Sequence, residues 1–128
     1  MDRKILFTAS FLGVIAIVLG AFGAHSLKEV LTLEQLNTFE TGVKYQMYHA
    51  LFLLFLGINN SVTEKIKKYV FRLILFGVLL FSGSIYLLAT MAVTVINFKV
   101  IGILTPIGGL LLILGWSIFG IQFLQNKS

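Results

Sequence analysis

The chain has 128 residues, of which 58% are hydrophobic and only 12% charged, and its mean hydropathy is +0.98. A domain of this length cannot hide so much apolar surface in water, so the composition excludes a soluble fold and makes the bilayer its solvent. The net charge of +5 comes without a basic face or an aromatic series, which argues against nucleic acid as a partner, and the absence of cysteine excludes disulfides, thiolate chemistry and cysteine metal sites.

A helical membrane protein is expected, because a helix of about 20 residues just spans a bilayer core of roughly 30 Å and the hydrophobic segments meet that length. The first span is expected over residues 5 to 24, an uncharged run after Arg3 and Lys4 that is longer than the apolar region of a cleaved signal peptide. Ala9, Gly13, Ala16, Gly20 and Ala24 recur at steps of three and four, which puts them on one helix face. A face with so little side chain lets two helices approach closely in lipid. Residues 32 to 41 alternate leucine and charge, and Thr32 with Gln35 fits a capping box, so an amphipathic helix is expected there, lying at the membrane surface or running into the second span. Glu40 and Lys44 have the spacing of a helical ion pair.

The second span, residues 41 to 60, carries Lys44, Tyr45, Gln46, Tyr48 and His49 in its first half. A short basic connection follows, then a third span over about 69 to 92, a brief turn at 94 to 99, and a fourth span over about 100 to 124 that contains Pro106, Gly108 and Gly109. With four spans, Arg3, Lys4, Lys65, Lys67, Lys68, Arg72 and Lys127 fall on one side and Lys28, Lys44 and Lys99 on the other. That seven-to-three asymmetry places both termini in the cytoplasm of a bacterial cell, in an all-α four-helix bundle of the plasma membrane.

Topology also gathers the polar residues. At about 1.5 Å per residue, His49 lies roughly 9 Å below the outer edge of its span, and Tyr86 and Thr105 come out at similar depths. His25, Tyr45, Gln46, His49, Ser82, Ser84, Tyr86 and Thr105 are therefore expected together in the outer half of the bundle. Two readings follow: helix-to-helix hydrogen bonds, or a pocket that accepts a lipid head group or small polar molecule. None of the acids Asp2, Glu29, Glu34, Glu40 and Glu64 lies in an apolar run, which disfavours ion-coupled transport. Two histidines without cysteine or a buried acid make a poor zinc site, and no acid is placed to orient His49 for serine hydrolysis. No catalytic residue, metal or cofactor is expected. Membrane lipid is the expected contact, with a second copy or another membrane protein as partner.

Four motifs then stand out in order: GAFGAH at 20–25, FETGVKYQMYHAL at 39–51, FSGSIYLLA at 81–89, and TPIGG at 105–109 with the later pair Gly115-Trp116. This pattern resembles the small bacterial membrane family called domain of unknown function 423, whose eukaryotic relatives include transmembrane protein 256. The chain departs from it at the turn after Ala89, where Thr-Gly is expected. The resemblance implies a four-span integral membrane protein and implies no activity.

Overall fold

The computed structural model describes residues 2–90 and 101–125, and these fold as four long antiparallel helices: α1 Arg3–His25, α2 Leu33–Ile58, α3 Glu64–Ala89 and α4 Ile101–Gln125. A single 3₁₀ turn, Leu27–Glu29, links α1 to α2. The turn at 94 to 99, with Lys99, and the C-terminal Lys127 lie outside the described residues.

Each of the first three helices starts on a side chain that accepts orphan N–H groups. The Asp2 carboxylate accepts from the N–H groups of Lys4 and Ile5 at 3.0 and 3.2 Å. Thr32 and Gln35 form the expected capping box, each side chain accepting from the other's backbone N–H. Thr63 caps α3 through the N–H of Ile66. The amphipathic segment at 32 to 41 is not a separate surface helix. It is the first two turns of α2, because nothing in its sequence breaks the helix before Asn59. Glu40 and Lys44 stay solvated, both side chains being exposed, and the only ion pair among the described residues is Lys67–Glu64 at 3.9 Å.

Helix α2 runs antiparallel beside α1 over the full length of α1. The Asp2 N–H donates to Gly57 O at one end, Gly13 stands opposite Ala50 in the middle, and Gly23 meets the ring of Phe39 at the other end. At about 1.5 Å per residue α2 is about 39 Å long, enough to cross a bilayer core of roughly 30 Å. By length and composition α1, α3 and α4 can cross a membrane; α2 falls outside that set because Lys44, Gln46 and His49, with Tyr45 and Tyr48, dilute the first half of its apolar run.

The small-residue face of α1 is present, with one correction. Ala9 and Ala16 are buried and Gly13 and Gly20 face Ala50 and Val43 of α2, but Ala24 is exposed and Gly23 takes the buried place. A helix of 3.6 residues per turn drifts off a stripe that steps by four, so the fifth position rotates out.

Helix α3 packs on α2 and α4 packs on α3, so the chain zigzags through the bundle in sequence order. The tightest crossing lies between α3 and α4. A Cβ at Gly108 would overlap the backbone N of Phe81 and lie 2.9 Å from Gly77 O, and one at Gly77 would lie 2.7 Å from Leu112. Gly109, singled out with it in the sequence, is looser, with Phe81 ring atoms at 3.5 Å or more. The apolar core joins Ile5, Ala9 and Leu12 of α1 to Leu53 and Leu56 of α2, Val70, Ile74 and Val78 of α3, and Leu112 of α4. A smaller cluster of Leu27, Leu31, Phe39 and Ala89 closes the end that holds the α1–α2 connection.

Gly108→Ala should therefore lower the melting temperature in mild detergent, by an amount corresponding to about 1 to 3 kcal/mol or more, since the new methyl meets backbone that cannot rotate away. Gly120→Ala should be neutral, because nothing lies within 4 Å of that position. Equal melting temperatures for the two variants would show that the α3–α4 crossing is not as close as described.

Candidate functional site

The polar residues are organised around about two turns of α2, from Gly42 to His49. Gly42 makes this possible: a Cβ there would lie 2.7 Å from the ring of Tyr86 and 3.0 Å from Ile85, so only glycine lets α3 come so near. Close approach brings the Ser82 hydroxyl to Gly42 O, to which it donates at 2.8 Å. It also lays the Tyr86 ring beside Phe39, with centroids 5.1 Å apart, and carries the Tyr86 hydroxyl to Gln46.

Gln46 is 4% exposed and uses both ends of its amide. Its Nε2 donates to Leu12 O of α1 at 2.8 Å, and its Oε1 accepts from the Tyr86 hydroxyl of α3 at 2.6 Å. One side chain thus joins three helices. An amide has both donors and an acceptor, which neither a carboxylate nor an ammonium offers, so glutamine does this without a charge in lipid.

One turn further, His49 links α2 to α4. The indole N–H of Trp116 can only donate, and it donates to His49 Nε2 at 3.0 Å. The imidazole proton therefore sits on Nδ1, where Tyr45 O accepts it at 2.6 Å. Both ring nitrogens are engaged in the neutral form. At the α3–α4 seam, the hydroxyls of Ser84 and Thr105 bond to each other, and Ser84 also reaches Phe81 O at 3.0 Å.

The expected cluster is thus real in part and differently arranged. Gln46, His49, Ser82, Ser84, Tyr86 and Thr105 all make interhelical hydrogen bonds, but in separate pairs along the helix seams and not around a common cavity. Tyr45 contributes its backbone carbonyl; its ring is turned outward against Phe81 and His49. His25 does not join them. It is exposed in the last turn of α1, because two residues on from the buried Gly23 the helix has rotated by about 200°, to the opposite side. No buried side-chain nitrogen or oxygen among the described residues lacks a partner. Nor do the described residues hold a group of three His, Cys, Asp or Glu side chains that could bind a metal.

A concavity lies beside this network. Helices α2 and α4 are bridged by side chains alone, and a groove of about 1050 Å³ opens between them, walled by Tyr48, His49, Phe52, Phe81, Gly109 and Trp116. Phe52 and Trp116 meet at a tilt at its floor, with centroids 4.3 Å apart, while Tyr48 and Trp116 remain about half exposed. Gly42 and Trp116 carried no site expectation from the sequence. Matching depths would have found Trp116: the only indole N–H in the chain, at membrane depth, must seek an acceptor, and His49 stands at its level.

A family sequence model described as "Protein of unknown function (DUF423)" matches residues 19–109. The chain belongs to the DUF423 family. It is 43% identical over 103 residues to a UPF0382 membrane protein of Staphylococcus saprophyticus, covering 80% of this chain and 82% of that one. A UPF0382 membrane protein of Haemophilus influenzae is 35% identical over 128 residues, all of this chain and 99% of the other. The UPF0382 inner membrane protein YgdD of Escherichia coli is 32% identical over 98% of this chain and 93% of its own length. No solved structure matches. Three helices able to cross a membrane, together with relatives named membrane proteins from end to end, make this DUF423 chain a multi-pass protein of the bacterial cell membrane.

A double-mutant cycle on Gln46→Leu and Tyr86→Phe checks the central bond of this DUF423 bundle. Thermal unfolding should give a coupling of about 0.6 kcal/mol, and no more than roughly 1.7, as for other interhelical bonds in membranes. Gln46→Leu should cost more than Tyr86→Phe, since it also strips Leu12 O of its side-chain donor. Zero coupling would show that the two side chains do not meet.

Proposed function

We propose that this protein is a structural or interaction component of the bacterial plasma membrane, and that its polar residues fasten the bundle internally instead of performing chemistry or moving a solute. The observation that carries this reading is His49: it is the one histidine at membrane depth, and both its nitrogens are already committed, to Tyr45 O and to Trp116. A general base, a proton relay or a metal ligand needs a free nitrogen.

In this reading α2 crosses the membrane with the other three helices, because it lies beside α1 from Phe39 to Gly57 and shares its depth. Both termini are cytoplasmic. The end of the bundle that holds them carries Arg3, Lys4, Lys65, Lys67, Lys68 and Arg72 against Asp2 and Glu64, whereas the other end carries Lys28 and Lys44 against Glu29, Glu34 and Glu40. Lipid, a second copy or another membrane protein covers α4, whose Ile103, Ile107, Leu110, Ile113 and Leu114 are exposed.

A second reading rests on the α2–α4 groove. The hydroxyls of Tyr45 and Tyr48 have no partner among the described residues, and they stand at a mouth walled by aromatic rings. That arrangement favours an amphiphile with a carbonyl acceptor, taken up from the membrane.

Substitution at His49 separates the two. As a fastening, His49→Gln keeps a donor and an acceptor and should melt near wild type, while His49→Leu orphans the Trp116 N–H and should melt lower. Native mass spectrometry of the same preparations supplies the second readout. A His49→Gln variant that is stable yet loses a molecule retained by wild type would overturn the fastening reading in favour of binding.

A further inference from the structure

The end of the bundle that bears the termini holds a second cleft, apart from the polar network and the aromatic groove. Helices α1 and α3 both pack on α2 but form no extensive helix pair with each other. The gap between them, about 650 Å³, is lined by Arg3, Lys4, Phe7 and Thr8 of α1 and by Phe71 and Leu75 of α3. We propose that this cleft is a binding site for one anionic phospholipid.

The cleft has the polarity of such a lipid along the bundle axis. Arg3 and Lys4 lie in the first turn of α1, at the level where the chain leaves the membrane. One turn deeper on the same faces stand Phe7, four residues after Arg3, and Thr8, four residues after Lys4. Phe71 and Leu75 form the matching apolar row on α3, again four residues apart. Two cations therefore sit over a floor of three apolar side chains with the Thr8 hydroxyl at its upper edge, so a phosphate at the mouth would leave its acyl chain against Phe7, Phe71 and Leu75. Arginine presents a fork that fits two phosphate oxygens at once, and lysine adds a point charge.

The charge at this mouth is not cancelled by protein. The Asp2 carboxylate is turned to the N–H groups of Lys4 and Ile5, capping α1. No described carboxylate lies within ion-pair distance of Arg3 or Lys4. One turn before Phe71, the side chain of Lys67 is 1% exposed, and its nearest carboxylate, Glu64, stands 3.9 Å away and 70% exposed. A buried cation with so distant and so hydrated a partner leaves net positive potential at this end of α3. A free phosphate would engage the cations and leave the apolar floor unused, which is why the occupant is a lipid. The site does not depend on which leaflet it faces, because reconstituted membranes offer both.

The test uses the full chain in nanodiscs and in mild detergent, with native mass spectrometry as readout and dioleoylphosphatidylglycerol, dioleoylphosphatidylcholine and inorganic phosphate as probes. Wild type should retain a single, saturable phosphatidylglycerol in preference to phosphatidylcholine. Arg3→Gln with Lys4→Gln should weaken it roughly twenty-five-fold, taking each surface cation as worth about a fivefold change. Both side chains are exposed, so the pair should melt like wild type. Lys65→Gln with Lys68→Gln removes as much charge from the same end, outside the cleft, and should change retention less than about twofold. Leu75→Trp, which fills the floor and leaves the charge alone, should also abolish retention. Equal losses from the two lysine and arginine pairs would mean a diffuse basic surface, and competition by inorganic phosphate at equal strength would mean a simple anion site. Equal retention of both lipids, or full retention by Leu75→Trp, would likewise overturn the proposal.

Discussion

The bundle depends on one uncharged side chain. Gln46 lies near the middle of α2, buried, and holds α1 through Leu12 O and α3 through the Tyr86 hydroxyl. In lipid there is no hydrophobic force between helices, so association rests on close packing and on a few polar bonds, each contributing only about 0.6 kcal/mol. The larger energetic fact is the alternative. A primary amide facing hydrocarbon without partners costs several kcal/mol, and that penalty excludes every rotation of α2 that turns Gln46 toward lipid. Gln46 therefore specifies how α2 faces its neighbours more than it adds to their attraction.

Glycine supplies the geometry that the polar bonds need. Without Gly42, Tyr86 could not lie close enough to reach Gln46, and Ser82 could not reach the carbonyl of residue 42. Gly77 and Gly108 do the same for α3 and α4, where the backbones nearly touch. Between α2 and α4 no such glycine pair exists. There the distance is spanned by large side chains, with Trp116 reaching His49 and packing at a tilt against Phe52, and a groove remains beside them. Seams with glycine are closed, and the seam without it is open.

Much of this was legible in the sequence. Hydropathy and the family motifs gave the four helices, Thr32 and Gln35 gave the start of α2, and depth matching brought Gln46, Ser82, Tyr86 and Thr105 to the same half of the bundle. What depth alone could not supply was rotation. It placed His25 with the cluster because both lie at the same level, although His25 points away from it, and it placed Ala24 on a stripe from which the helix had already turned. Nor could it tell a shared pocket from separate bonds on adjacent seams, since both put the same residues at the same height. Gly42 was legible as part of a motif, but its role appears only once the ring of Tyr86 is seen over it.

The bundle requires that α2 cross the membrane, although Lys44, Gln46 and His49 interrupt its apolar run and it alone of the four falls short in length-and-composition terms. Glu34, Glu40 and Lys44 are exposed and confined to its first half, where long stems can reach the interface, and Gln46 and His49 deeper in are bonded to neighbouring helices. The chain has no cysteine, so single cysteines at Glu34 and Ser61, on either side of α2, can be read without background by an impermeant thiol reagent in intact cells. Glu34→Cys should label in intact cells and Ser61→Cys only after permeabilisation. Labelling of both from the same side would mean that α2 does not cross, and the bundle described here would not be the membrane form of the protein.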